Sequence, residues 1–119
     1  MNVLVVDDSA MSRKLTIRAL PEEWDVTLHQ AGGGVEALTA YRQGKADVML
    51  LDLTMPDMSG FEVLEQLRQE DMNCFVIVIS ADVQTRAEER ARALGALGFV
   101  RKPVQADTLR QVLTDYGFL

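Results

Sequence analysis

Five short apolar runs alternate with segments of helical length, and this alternation most restricts what the chain can fold into. The runs are residues 2–6, 25–30, 47–51, 74–80 and 98–100. Between them, apolar residues recur at spacings of three and four, which is the period of an amphipathic helix. Ser9 and Ser59 are predicted to cap the first and third of these helices. Strands that alternate with helices along a chain predict a parallel sheet with right-handed helical crossovers on both faces.

The composition of the runs predicts where each strand lies in the sheet. Residues 2–6, 47–51 and 74–80 are apolar at almost every position, as expected of strands that are covered by helices on both faces. Residues 25–30 alternate between polar and apolar side chains and predict an edge strand. The chain has 119 residues and is 48% hydrophobic, which is enough for one core. We therefore expect a single domain over residues 1–119.

Composition also excludes several classes of partner and location. A formal net charge of −6 argues against direct nucleic-acid binding, which depends on Lys and Arg neutralising phosphates. No apolar run approaches the roughly 20 residues of a membrane helix, and Asp7 and Asp8 interrupt the first run too early for a signal peptide. A single cysteine, Cys74, cannot form an internal disulfide. We expect a cytoplasmic protein without a membrane or nucleic-acid partner.

Polar residues follow the ends of four predicted strands. Asp7 and Asp8 follow the first, Asp52 follows the third, Ser80 ends the fourth and Lys102 lies just past the fifth. Because the carboxyl ends of parallel strands share one edge of the sheet, these side chains are expected to converge there. Three neighbouring carboxylates repel one another unless a cation lies among them. Ligands that are all oxygen atoms favour Mg²⁺ over zinc or copper.

A hard divalent cation held by acids is suited to phosphate chemistry. An aspartate can itself act as the nucleophile in phosphoryl transfer, where catalysis is mostly positioning and charge neutralisation. The hypothesis from these residues is that Asp52 attacks a phosphoryl group while Asp7 and Asp8 hold the metal. Lys102 would then neutralise phosphate charge, and the Ser80 hydroxyl would donate a hydrogen bond to a phosphoryl oxygen.

Four segments in this order and spacing resemble the response-regulator receiver domain of two-component signalling, of the chemotaxis type. They read VLVVDDSAMSRK, DVMLLDLTMPDMSGFEVLEQLR, VIVISA and GALGFVRKPV. The resemblance spans nearly the whole chain and implies a flavodoxin-like α/β fold, a doubly wound five-stranded parallel sheet of order 2-1-3-4-5 with five helices.

The resemblance also implies roles for individual residues. Asp52 would be the phosphoacceptor for a sensor histidine kinase or a phosphotransfer protein. Mg²⁺ would be bound by Asp8 directly, by Asp7 largely through water, by Asp52 and by the backbone carbonyl of Thr54. Lys102 would bind the phosphate.

The same resemblance implies a switch rather than an enzyme acting on other molecules. Ser80 and Phe99 match the switch hydroxyl and the aromatic residue that changes rotamer on activation. The face formed by the fourth helix, fifth strand and fifth helix would then control an effector protein or an output domain. Such a domain catalyses only its own phosphorylation and dephosphorylation. Pro103 matches a position where the family often has a cis peptide bond, but the sequence does not specify the isomer.

Three other functions remain as alternatives. A haloacid-dehalogenase-like phosphatase also uses a nucleophilic aspartate with Mg²⁺, but it has a second aspartate where this chain has Thr54. In a flavodoxin-like cofactor binder, Asp7 and Asp8 would repel the flavin phosphate. A non-phosphorylated interaction module would not need the acids, Ser80 and Lys102 together. The kinase, the target, the phosphoryl lifetime, the oligomeric state and attachment to a longer regulator are not readable from the sequence.

Overall fold

The computed structural model describes residues 1–82 and 84–119, which form a sheet with helices on both faces. In chain order, the described elements are β1 (Asn2–Val6), α1 (Ala10–Ala19), β2 (Thr27–Ala31), α2 (Gly34–Arg42), β3 (Val48–Leu51), α3 (Gly60–Gln69), β4 (Phe75–Ser80), α4 (Thr85–Ala93), β5 (Gly98–Arg101) and α5 (Ala106–Asp115). The strands pair in parallel in the order β2-β1-β3-β4-β5. The predicted fold class is therefore confirmed.

Successive apolar residues in the central strands pack in two separate cores, one on each face of the sheet. Val3 and Val5 of β1 pack in the core beneath α1 and α5, whereas Leu4 and Val6 pack in the core beneath α2, α3 and α4. This arrangement follows from the alternation of side chains along a strand, which sends neighbouring residues to opposite faces of the sheet. It explains why these strands are apolar at successive interior positions, as the sequence predicted.

β2 lies at the edge of the sheet, as its alternating sequence predicted. Leu28 is exposed, and Ala31 is the buried residue of this strand. None of the helices in the described ranges combines the length and the apolar composition needed to cross a membrane.

Local capping signals give the helices near the site defined starting points. The Ser9 side chain accepts a hydrogen bond from the Ser12 amide at the start of α1. The Ser59 side chain accepts one from the Glu62 amide at the start of α3. Each side chain satisfies an amide that has no partner within the helix, so both predicted caps are confirmed.

The register of the sheet places the ends of β1 and β3 side by side. Val6 pairs with Leu51, and Leu51 pairs with Val78. The next residues after Val6 and Leu51 are Asp7 and Asp52, which consequently leave the sheet at the same level. β4 continues two residues further, to Ser80. At the carboxyl edge of the sheet, β4 therefore extends past the level at which Asp7 and Asp52 leave the two neighbouring strands.

Candidate functional site

The backbones of Asp7 and Asp52 are held in place by the sheet. The Asp7 amide donates to the Ala31 carbonyl at 3.1 Å, and the Asp52 amide donates to the Val6 carbonyl at 3.0 Å. These bonds continue the parallel ladders one residue beyond the strands. Both carboxylates are therefore presented from ordered backbone at the rim of the core.

Three carboxylates converge at this edge. Asp7, Asp8 and Asp52 each offer an oxygen atom, and the three oxygens lie within 4.8 Å of one another. Asp7 and Asp52 are buried, at 4% and 6% exposure, whereas Asp8 is exposed. The structure thus brings together the three acids that the sequence singled out. Their donor set, all oxygen and open to solvent on the Asp8 side, is the chemistry that Mg²⁺ prefers.

Lys102 reaches into the acidic cluster from the end of β5. Its Nζ atom lies 2.7 Å from Asp7 Oδ2 and 3.5 Å from Asp52 Oδ1. Its backbone amide donates to the Ser80 carbonyl at 2.9 Å, which fixes the base of the side chain. One ammonium therefore faces three carboxylates, and the fully ionised cluster has a net charge of −2. A divalent cation would balance that charge.

The pKa values of the two buried acids shift in opposite directions. Burial alone raises the pKa of Asp7, but hydrogen bonds from Lys102, the Ser12 side chain and the Ser9 amide outweigh burial and lower the pKa. Burial also raises the pKa of Asp52, and for this residue burial is the largest effect, so the pKa is raised overall. The attraction of Lys102 opposes it, and the repulsion from Asp7 adds to it. Asp52 is thus the acid of this pair whose charge is insufficiently compensated.

The β3–α3 loop, residues 52–59, is packed closely where it leaves the sheet. The Gly60 amide donates to the Leu53 carbonyl at 2.8 Å. A Cβ atom on Gly60 would lie 2.5 Å from the Asp52 carbonyl oxygen, so only glycine allows this approach. The metal role of the Thr54 carbonyl remains a prediction.

Ser80 and Phe99 lie beside the cluster on β4 and β5. The Ser80 hydroxyl is buried and accepts a hydrogen bond from the Asp82 amide at 3.1 Å. Among the described residues, the Ser80 side chain forms no hydrogen bond with Lys102 or with a carboxylate group. The Phe99 ring is half-buried against the core beneath α4. The Arg101 guanidinium lies 5.7 Å from the centroid of the ring and donates to the Asp82 carbonyl at 3.1 Å.

Two residues that sequence reasoning did not select also contact this region. Arg13 Nη1 donates to the Asp7 carbonyl at 2.6 Å, and Arg13 Nε donates to Gln30 at 2.9 Å. Asp57 contacts the start of α2, more than 20 residues away in the sequence. No local pattern predicts either contact, because both partners lie on other elements. The Lys102–Pro103 peptide bond is cis, which the sequence left undetermined.

Comparison with known proteins identifies the family to which this site belongs. Residues 3–114 match the response regulator receiver domain. The chain is 34% identical to the chemotaxis protein CheY of Listeria monocytogenes, over 95% of each chain. It is 31% identical to the sensor histidine kinase RcsC of Escherichia coli, over 98% of this chain and 12% of that protein.

A structural comparison agrees with the match in sequence. The structure of the chemotaxis protein CheY4 of Vibrio cholerae is 27% identical and superimposes with a TM-score of 0.84, covering 96% of each chain. The family match, the sequence relatives and the shared fold agree with one another. The chain therefore belongs to the response regulator receiver family, a signalling domain of two-component systems.

Proposed function

We propose that Asp52 is the phosphoacceptor of this receiver domain and that its phosphorylation depends on Mg²⁺. The observation that carries the proposal is the convergence of three carboxylates within 4.8 Å, with the Lys102 ammonium 2.7 Å from one of them. The phosphoryl donor would be a phosphohistidine on a sensor histidine kinase or on a phosphotransfer protein. Membership of the receiver family supports this donor class.

Asp7, Asp8, Asp52 and the Thr54 carbonyl would hold the metal. The cluster's net charge of −2 and its oxygen-only donors support this assignment. The exposure of Asp8 leaves room for the water ligands that Mg²⁺ usually retains. When bound, Mg²⁺ would neutralise charge on the oxygens of the transferred phosphoryl group.

Asp52 has the features required of the nucleophile. Its amide is held by the Val6 carbonyl, and its carboxylate lies 3.5 Å from the Lys102 ammonium. A carboxylate oxygen of Asp52 would form the new bond to phosphorus. The phosphorus–nitrogen bond of the phosphohistidine would break, and the imidazole would leave with the bonding electrons. Because Lys102 already reaches Asp52, it can neutralise phosphate charge on the product.

Ser80 and Phe99 would convert phosphorylation into a change of surface. The Ser80 hydroxyl accepts from Asp82, so its proton remains able to bond a phosphoryl oxygen. Movement of Ser80 would carry Asp82 with it and open space for the half-buried Phe99 ring. The face formed by α4, β5 and α5 would repack and bind an effector or an output domain. Shifting such an equilibrium from about 1:99 to 99:1 requires ~5.5 kcal/mol of differential binding.

The proposal includes the setting in which the domain acts. Residues 1–119 would form one cytoplasmic domain that catalyses its own phosphorylation and dephosphorylation and no other reaction. Neither a membrane nor a nucleic acid would be a direct partner. Support comes from the acidic net charge and from the receiver family match over residues 3–114.

Intact-mass spectrometry after incubation with Mg²⁺ and acetyl phosphate tests the acceptor. We expect one phosphoryl adduct on the wild type, none in EDTA and none on Asp52→Asn. Asp25→Asn is a control, because Asp25 is exposed and lies before β2, outside the acidic cluster. The proposal fails if the wild type forms no Mg²⁺-dependent adduct or if Asp52→Asn forms it as well.

Lys102→Ala tests the separation of phosphorylation from the switch. We expect this variant to form the adduct, because Asp52 and the other two acids remain. The ring resonances of Phe99 should shift on phosphorylation of the wild type but not of Lys102→Ala, as measured by NMR. An equal shift in both proteins would remove Lys102 from the switch.

A further inference from the structure

Helix α2 receives its N-terminal cap from the β3–α3 loop. Its own N-cap residue, Gly33, has no side chain to accept a hydrogen bond. Instead, Asp57 Oδ1 accepts from the Gly34 amide and Asp57 Oδ2 accepts from the Val35 amide, each at 3.1 Å. Bonds from Val35 and then Gly34 are the main reasons why the pKa of Asp57 is lowered. The loop and the helix are joined by two charge-assisted hydrogen bonds.

Two glycines make this contact sterically feasible. A Cβ atom on Gly33 would lie 2.8 Å from an oxygen of Asp57, and one on Gly34 would overlap the Met58 side chain. Consecutive glycines at 32–34 suggest a mobile passage into the second helix, yet Gly33 and Gly34 are buried. Their role is to allow close packing of the loop against α2.

The position of Asp57 in the loop makes this contact important for the site. At one end the loop is held by the Gly60–Leu53 hydrogen bond, and at the other Ser59 caps α3. Between these points Met55 is buried, whereas Thr54 and Pro56 are exposed. Asp57 is therefore the polar tether for the exposed middle of the loop.

We infer that Asp57 is a positioning residue that holds the β3–α3 loop against α2, so that the Thr54 carbonyl faces the metal site. The inference rests on the proposed function, because it concerns the proposed metal ligand. Releasing the tether allows the loop to sample other conformations. The apparent Mg²⁺ affinity is then the affinity of the binding-competent conformation multiplied by the fraction of molecules that adopt it.

Three variants separate this role from simple support of a helix. Asp57→Ala removes both the cap and the tether. Gly33→Ser combined with Asp57→Ala gives α2 a cap of its own, and it fits because the atoms that crowd Gly33 belong to the Asp57 carboxylate. Asp107→Ala removes an exposed acid from the first turn of α5 and serves as the matched control.

Mg²⁺ affinity is measured by calorimetry with the metal alone, and stability is measured by thermal unfolding in EDTA. We expect Asp57→Ala to bind Mg²⁺ about fivefold more weakly. This is the fold-change that results when the whole free energy of a typical helix cap is lost from Mg²⁺ binding. The double variant should recover the melting temperature but retain the weaker Mg²⁺ binding. Asp107→Ala should bind Mg²⁺ as the wild type does.

Each alternative result overturns a different statement. Wild-type affinity in Asp57→Ala refutes the positioning role and leaves the phosphoacceptor proposal intact. If the double variant recovers both the Mg²⁺ affinity and the melting temperature, Asp57 only caps α2. That result also refutes the positioning role. An absence of Mg²⁺ binding in the wild type overturns the proposed metal site together with the inference.

Discussion

Replacing Asp52 by asparagine is expected to stabilise the metal-free protein at neutral pH. Asp52 is 6% exposed, and burial raises the pKa of its carboxyl group. The folded state is therefore penalised for carrying the charged form. Asparagine has a similar shape and removes the charge, so the variant no longer bears this penalty.

The magnitude follows from the charges around Asp52. At an effective dielectric constant of ~20, attraction to Lys102 at 3.5 Å is about 4.7 kcal/mol. Repulsion from the Asp7 oxygen, at 4.8 Å or less, is about 3.5 kcal/mol or more. The difference of about 1 kcal/mol does not offset a desolvation penalty of several kcal/mol. Because Lys102 keeps Asp7 as a partner at 2.7 Å, we expect a net gain on the order of 1–2 kcal/mol.

Urea unfolding in EDTA measures this gain. Asp25→Asn is the control, since Asp25 is exposed and its replacement should change stability by no more than about 0.5 kcal/mol. The folded-state pKa of Asp52 is raised above 3.8, so the penalty is absent below pH 3.8, grows as pH rises from 3.8 and is complete above the folded-state value. The advantage of Asp52→Asn should therefore fade toward acid pH. A loss of stability at pH 7, or a gain that persists unchanged at pH 4, would refute the reasoning.

Two substitutions and one alkylation experiment test the packing and electrostatics elsewhere. Gly60→Ala should destabilise the fold by about 1–3 kcal/mol in urea unfolding, because its Cβ would collide with the Asp52 carbonyl; wild-type stability would contradict the observed packing. Arg42 holds the pKa of Glu70 at about 2 against an ordinary 4.5, so the stabilisation by Glu70 is complete above pH 4.5 and is lost as pH falls toward 2. Glu70→Gln should accordingly be less stable than the wild type at pH 6, with a gap that narrows over this range; a constant gap would exclude titration of Glu70 as its origin. Burial raises the pKa of Cys74 to about 11 from 9.0, so alkylation at pH 8 should be on the order of 100-fold slower than in urea, and equal rates would show an accessible thiolate.

Much of the fold could be predicted because its signals act over a few residues. Runs of successive apolar residues predicted β1, β3 and β4 as strands buried on both faces. Ser9 and Ser59 predicted helix starts because a capping side chain bonds an amide only three residues away. β1 has the predicted boundaries, and the other strands differ from the prediction by one or two residues at an end, as for β2, predicted at 25–30 and observed at Thr27–Ala31.

The composition of the site was predictable for a related reason. A charged residue directly after a buried strand must emerge at the edge of the sheet, and parallel strands place such residues at the same edge. Asp7 and Asp52 therefore had to be neighbours once β1 and β3 were paired. The distances could not be predicted, because Lys102 lies 95 residues from Asp7 and its reach depends on the path of the chain after β5.

The sequence by itself determined the alternating strands and helices, their principal caps and the set of acids, hydroxyl and ammonium at one edge of the sheet. The tertiary structure alone decided which loops meet: Asp57 caps α2 from 22 and 23 residues away, and Arg101 connects Asp82 to the Phe99 ring. Gly33 and Gly34 show the difference most clearly, since in the sequence they suggest mobility and in the fold they make room for a neighbouring loop. The physical reason is the separation in sequence over which each interaction acts. Propensity and capping act within a few residues, whereas contacts between loops depend on sheet register and on the packing of elements that are distant in the chain.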